Sequence, residues 1–188
     1  MKLTNMMYAS LFAALVGALG ILPPLTLPIS PVPLTAQTLG VMLAGAILGA
    51  RYGALSLGIF VALVAFGVPV LAGGRGGFGV LLGPGGGYIL SWPIAAFVIG
   101  SLVERYWNKM NTARFILFNI IGGILLVYAS GVTYLSFTTG IPWTTAAFQA
   151  LIYVPGDVTK AVIAGVIAMQ IKKAYPLIKK PVEQKKAA

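Results

Sequence analysis

The chain has 188 residues, 59% hydrophobic and only 9% charged, with a mean hydropathy of +0.95, where a soluble domain carries roughly 25% charged residues. It has no cysteine and no histidine, which removes thiolate and imidazole metal sites and the usual general base, and its three acids, Glu104, Asp157 and Glu183, are too few to build a carboxylate site. The formal net charge of +10 is not arranged as a basic patch interleaved with aromatics, so a nucleic-acid partner is excluded in favour of one polytopic, all-α membrane domain over residues 1–188.

Apolar runs place six spans in chain order, at residues 6–22, 36–50, 52–70, 88–103, 113–138 and 157–175. The second is short for a full crossing, so it either starts nearer Pro33 or lies partly buried in protein. Six spans put both termini on one side. That side receives Lys2, Arg51, Arg105, Lys109, Arg114, Lys172, Lys173, Lys179, Lys180, Lys185 and Lys186, against Arg75 and Lys160 on the other. Eleven against two makes both termini cytoplasmic by the positive-inside trend. Residues 172–188 then form a basic cytoplasmic tail. The first run also reads as a signal peptide with a small-residue site at Ala18-Leu19-Gly20, but it continues without a polar stop into Ile21-Leu22-Pro23.

The first span carries small residues at four-residue spacing, Ala9, Ala13 and Gly17, with Ser10, Ala14 and Ala18 beside them. Such spacing permits close helix approach, either inside this chain or against another membrane protein.

Three outer connections hold the unusual chemistry. "PPLTLPISPVPLTAQT" has five prolines between Pro23 and Pro33, which favours an extended path and suits a lid. "LAGGRGGFGVLLGPGGGY" contains a formal G-x-G-x-x-G at Gly74, Gly76 and Gly79. It lies between spans rather than after a strand, so it is not a dinucleotide fingerprint, and no Walker lysine follows any glycine run. Its backbone can nonetheless approach a ligand closely, and Arg75 offers a fixed fork of donors to a carbonyl or carboxylate.

The third outer connection ends in "YVPGDVTKAV". A helix starting after Pro155-Gly156 puts Asp157 near its N-terminus, where dipole and free N–H groups favour an acid. The cation Lys160, in the same turn, is disfavoured by that dipole and sits against the positive-inside trend. Three residues apart, the two share a helix face. Ionisable groups at such a place normally face a bundle interior or wet cavity, so the pair reads as a substrate site, against a lysine that merely snorkels to the interface.

The blocks "PVPLTAQTLGVMLAGAILGARYGALSLGIFV", "GVPVLAGGRGGFGVLLGPGGGY" and "PGDVTKA", in this order and spacing, resemble the BioY family, the biotin-binding S components of energy-coupling-factor (ECF) transporters. The likeness runs from about residue 4 to residue 173, with one departure: Gly85 in "GPGGGY" stands where the family pattern has threonine. The resemblance implies a six-helix fold that captures biotin from outside, in the cell membrane, without cofactor or catalysis of its own. It implies a separate T subunit, contacted through the face of Ala9, Ala13 and Gly17, and two ATP-binding-cassette subunits. Solitary biotin transport and an S component for another vitamin are the alternatives. Biotin needs a cation for its carboxylate, an acceptor and donors for its ureido group, and apolar walls. Lys160 or Arg75 suits the carboxylate, in either arrangement, and Asp157 suits the ureido N–H. Gln37 and Thr35 add hydrogen bonds, Tyr88, Phe78 and Tyr153 form walls, and Gly74 and Gly86 bring backbone close. Against the competing class, an intramembrane enzyme acting on lipid or peptide, stand the absence of histidine and cysteine and the scarcity of acids.

Overall fold

A computed structural model describes residues 3–26, 28 and 30–178; Lys2, Lys179, Lys180, Glu183, Lys185 and Lys186 lie outside the described residues. The elements are α1 (Leu3–Leu19), α2 (Gln37–Ala65), α3 (Phe78–Leu82), α4 (Gly86–Arg105), α5 (Thr112–Ile120), α6 (Val127–Thr139), α7 (Trp143–Leu151) and α8 (Val154–Ala174). A π-helical turn, Ile121–Leu126, joins α5 to α6 without a break, giving a continuous apolar span Thr112–Thr139 of 28 residues.

The 29 residues of α2 are not one helix. Gly49 adopts φ +81°, ψ −175°, a conformation essentially reserved for glycine. A Cβ on Gly53 would meet the Ala44 carbonyl and Gly45, whereas residues nine apart in a straight helix are separated by about 13.5 Å. The chain therefore reverses at Gly49, and the arms 37–48 and 50–65 form an antiparallel pair. The first arm has 12 residues, about 18 Å of helix, too short for a hydrocarbon core of about 30 Å. It does not need to span alone, since every residue from 40 to 50 is buried in protein. The expectation of a short, protein-buried second span holds, while the turn expected around Arg51 falls at Gly49.

With α1, the two arms, α4, α5–α6 and α8, six segments cross and the all-helical polytopic fold is established. The spans of α4, α5–α6 and α8 are each long and apolar enough to cross, α1 is a shorter apolar helix, and α2 reaches such a length only when counted across the Gly49 reversal. Boundaries shift by a few residues: α1 ends at Leu19 rather than 22, the third span at Ala65 rather than 70, and α8 begins at Val154 rather than 157.

The ends sort as the charges require. At one end, Glu104 near the foot of α4 accepts from the Ala50 N–H released by the Gly49 break (2.8 Å), and Lys172 near the end of α8 donates to the Trp107 carbonyl (2.9 Å). That end carries Arg51, Arg105, Lys109, Arg114, Lys172 and Lys173; the opposite end carries Arg75 and Lys160. The core between them is built on large, fully buried side chains, among them Phe60, Phe115, Met42, Leu57 and Ile99.

Two short helices, α3 and α7, form in the outer connections, where the sequence pattern predicts loop. Both are short, and their apolar residues show no run long enough to announce a helix; α7 forms because Ala146 and Ala150 pack against Val132 and Leu135 of α6.

Candidate functional site

The outer ends of α2, α4 and α8, with the start of α6 midway along its span, enclose a cavity of about 230 Å³. Two segments that fold back on themselves contribute to its wall. The proline-rich segment folds back through paired backbone bonds between Leu25 and Leu34 (2.9 Å each way), which brings Pro31, Val32, Pro33, Leu34 and Thr35 onto the cavity wall. The glycine-rich segment turns through Gly73 and Gly74, at φ +79° and +67°, so that Leu71 and Arg75 pair and both line the cavity.

Asp157 is the buried acid of this site, only 2% exposed. Its Oδ1 accepts from Lys160 Nζ (2.7 Å) and Thr38 Oγ1 (3.1 Å), and its Oδ2 accepts a short bond from the Tyr128 hydroxyl. The simpler reading of Asp157 as a helix cap is not what forms. Helix α8 begins earlier, at Val154, with Tyr153 in the cap position and no side-chain cap bond.

Lys160 resolves differently from its partner. Its ammonium donates to the Thr35 carbonyl (2.6 Å), Thr38 Oγ1 (3.0 Å) and Asp157 Oδ1 (2.7 Å). An ammonium has three donors, and all three are taken by this chain. Lys160 is not among the residues lining the cavity; it straps the end of the proline-rich segment and the start of α2 to α8. With α8 starting at Val154, Lys160 lies in the second turn, beyond the reach of the N-terminal dipole, and its charge is met by three oxygens, one of them from the buried Asp157 carboxylate.

Gln37 is likewise committed. Its Nε2 donates to the Val16 and Val70 carbonyls (3.0 Å each) and its Oε1 accepts from Ala72 N–H (3.0 Å). It lines the cavity but staples α1, α2 and the glycine-rich segment together. Arg75 is the only cation lining the cavity among the described residues. It is exposed, with its Nε donating to the Ala72 carbonyl (3.1 Å).

The walls are aromatic. Tyr88 meets Tyr128 edge-on, with centroids 6.2 Å apart, and a Cβ at Gly131 would run into the Tyr88 ring, as one at Gly87 would into Tyr134. These two glycines let α4 and α6 close enough to make that wall. Tyr153 is buried and its hydroxyl donates to the Val32 carbonyl (2.9 Å), pinning the proline-rich segment from the other side.

Some expected residues do not arrive. Phe78 is 61% exposed and, with Gly74 and Gly86, is absent from the lining. Phe78 opens the five-residue helix α3, which turns it outward, and the lining positions of that segment are Val80, Gly83, Pro84 and Gly85 instead. On α1, Ala9 and Ala13 are buried within this chain and Gly17 packs on Val70, so their face is turned inward; Ser10, Ala14 and Ala18 are the exposed small residues. Sequence reasoning missed Thr38, Tyr128 and Trp92. Tyr128 follows the π-helical turn by two residues, a local device often found at functional sites, and only the fold reveals it.

The chain matches the family model described as "BioY family" over residues 1–177. It is 44% identical over 183 residues to a protein named biotin transporter BioY of Rhizobium etli, covering 95% of this chain and 98% of that one. It is 44% identical over 177 residues to a probable biotin transporter BioY of Bacillus subtilis, covering 94% and 95%. The fold matches a 2.1 Å crystal structure of the S-component for biotin from an ECF-type ABC transporter with a TM-score of 0.88 and 35% identity, over 92% of each chain.

Proposed function

The chain belongs to the BioY family, and from that premise we propose that it is the membrane-embedded S component that captures biotin at the non-cytoplasmic face for uptake. It is a multi-pass protein of the cell membrane and a transporter rather than an enzyme. The observation that carries the reading is a coincidence of two facts. The fold superposes on a biotin S-component, and its outer cavity holds one acid, one cation and an aromatic wall.

The geometry favours one way round for the ligand. Arg75 stands exposed at the rim, so a carboxylate paired with it keeps some contact with water, the cheapest place for an anion. Asp157 is buried on the far wall and already takes three donors. A carboxylate has about four lone-pair sites, which leaves one for a ureido N–H. The bicyclic ring then lies against Tyr88, Tyr128 and Tyr153, and the valerate chain points to the rim. Lys160 positions Asp157 and Thr35 and does not touch the carboxylate. The segment carrying Pro31–Thr35 forms part of the wall, and release of its Thr35 end from Lys160 makes it the lid.

Energy comes from an ECF T subunit and two ATP-binding-cassette subunits. The surface of α1 open to the T subunit is the exposed stripe of Ser10, Ala14 and Ala18 with Met7 and Leu11, whose small residues allow close helix approach. The decisive experiment is an equilibrium titration of the purified protein with biotin, with thiamine and riboflavin as competitors. Saturable biotin binding that neither competitor displaces is expected. Absence of biotin binding refutes the reading, and displacement by another vitamin reassigns the substrate.

A further inference from the structure

The start of α4 holds three glycines in a row, Gly85, Gly86 and Gly87, and the fold demands only two of them. A Cβ at Gly86 would strike the Leu81 carbonyl, and one at Gly87 the Tyr134 side chain. Gly85 differs. Its φ of −84° lies on the side open to any L-residue, and a Cβ there would meet only Val32 Cγ1, at 4.0 Å, an ordinary van der Waals separation.

Helix stability gives no reason for glycine here either. Gly85 is the N-cap of α4 and makes no side-chain cap bond; serine, asparagine and aspartate are better at such a position and threonine is as good. What the absent side chain leaves is room on the cavity wall, since Gly85, Pro84 and Val32 all line the cavity. The facing side of that room is fixed. The Val32 carbonyl accepts from the Tyr153 hydroxyl (2.9 Å), and the Val32 side chain packs on the α6–α7 cluster of Val132, Leu135, Ala146 and Ala150, so Val32 is held out of the gap. Along the depth of the cavity, Gly85 is the outermost lining residue of the α4 wall, with Tyr88 about one turn and Trp92 about two turns further in. The gap therefore lies at the level of the rim, beside the tail of the ligand rather than its ring.

We infer that the gap at Gly85 is a tail subsite, which makes Gly85 a specificity-determining residue: it admits a short apolar substituent on the carboxyl end of the ligand, as in alkyl amides of biotin. The inference rests on the biotin reading above and on the way round given there for the ligand. Val32 and Pro84 give the gap apolar sides, which suit an alkyl group and not a charged one.

The test measures an affinity ratio between two neutral probes, biotinamide, which lacks the carboxylate charge, and N-propylbiotinamide, which adds only the alkyl group. Wild type is expected to bind N-propylbiotinamide no more than about threefold more weakly than biotinamide, and a larger discrimination overturns the inference. Gly85→Thr, which puts a branched side chain into the gap, should turn the ratio against N-propylbiotinamide by at least about fivefold. A smaller change overturns the inference, and so does an equal loss on both probes, which is the signature of a general packing defect. If Gly85→Thr does not fold, Gly85→Ala, whose Cβ fits without displacing Val32, is read in the same way, with an expected change of about threefold and an unchanged ratio overturning the inference. Wild-type protein that binds neither biotin nor biotinamide overturns the biotin reading, and this inference with it; protein that binds both and rejects N-propylbiotinamide overturns this inference alone.

Discussion

Replacing Lys160 by methionine separates a strap from a ligand contact. The substitution keeps the length of the stem and deletes an ammonium that holds Thr35, Thr38 and Asp157 at 2.6–3.0 Å. Breaking a buried ion pair from one side costs about 3–5 kcal/mol, because the abandoned charge stays buried. The Lys160 side chain is 15% exposed and Asp157 3%, so the lysine end is partly wet and about 2–4 kcal/mol is the expected loss. Thermal unfolding in detergent should register it as a clear fall in Tm. Removing the stranded charge as well, in Lys160→Met/Asp157→Asn, should restore part of that stability, giving a coupling between the sites of about 1–3 kcal/mol. Biotin affinity should fall more than tenfold in the single variant and stay low in the double one, since Asp157 itself is lost there. The discriminating measurement is biotinamide. A strap loses biotin and biotinamide affinity by the same factor, whereas a direct carboxylate ligand loses biotin selectively. A Lys160→Met protein of unchanged Tm, or one whose preference for biotin over biotinamide disappears, refutes the assignment.

Three further outcomes follow from named contacts. Arg75→Ala should leave Tm nearly unchanged, because the side chain is exposed and makes one backbone bond, yet it should weaken biotin about tenfold or more and abolish its advantage over biotinamide in the same titration. Gln37→Leu strands the Ala72 N–H and the Val16 and Val70 carbonyls, and thermal unfolding should show a loss of about 2–4 kcal/mol, while an unchanged Tm would mean that these groups find other partners. Gly49→Ala places a Cβ at φ +81° against Glu104, which should cost about 1–3 kcal/mol; wild-type stability in that variant would show that the α2 reversal does not depend on glycine.

By itself the sequence determined the membrane class, the six crossings, the orientation and the family. Each of these depends on sums along the chain: apolar runs set span number, the lysine and arginine asymmetry sets sidedness, and three ordered blocks carry the resemblance. It also marked Asp157 and Lys160 as a pair, because a charge in an apolar helix mouth is conspicuous without any neighbour being known. What it could not allocate is which partner each polar atom takes. Lys160 lost its freedom to Thr35 and Thr38, more than a hundred residues away in sequence, and Gln37 to carbonyls of two other segments. The inward turn of Ala9 and Ala13, the outward turn of Phe78 and the open wall at Gly85 are decided the same way. They depend on which helix lies alongside, and that is set by long-range packing around the Gly49 reversal and the Gly87–Gly131 contact, not by local pattern.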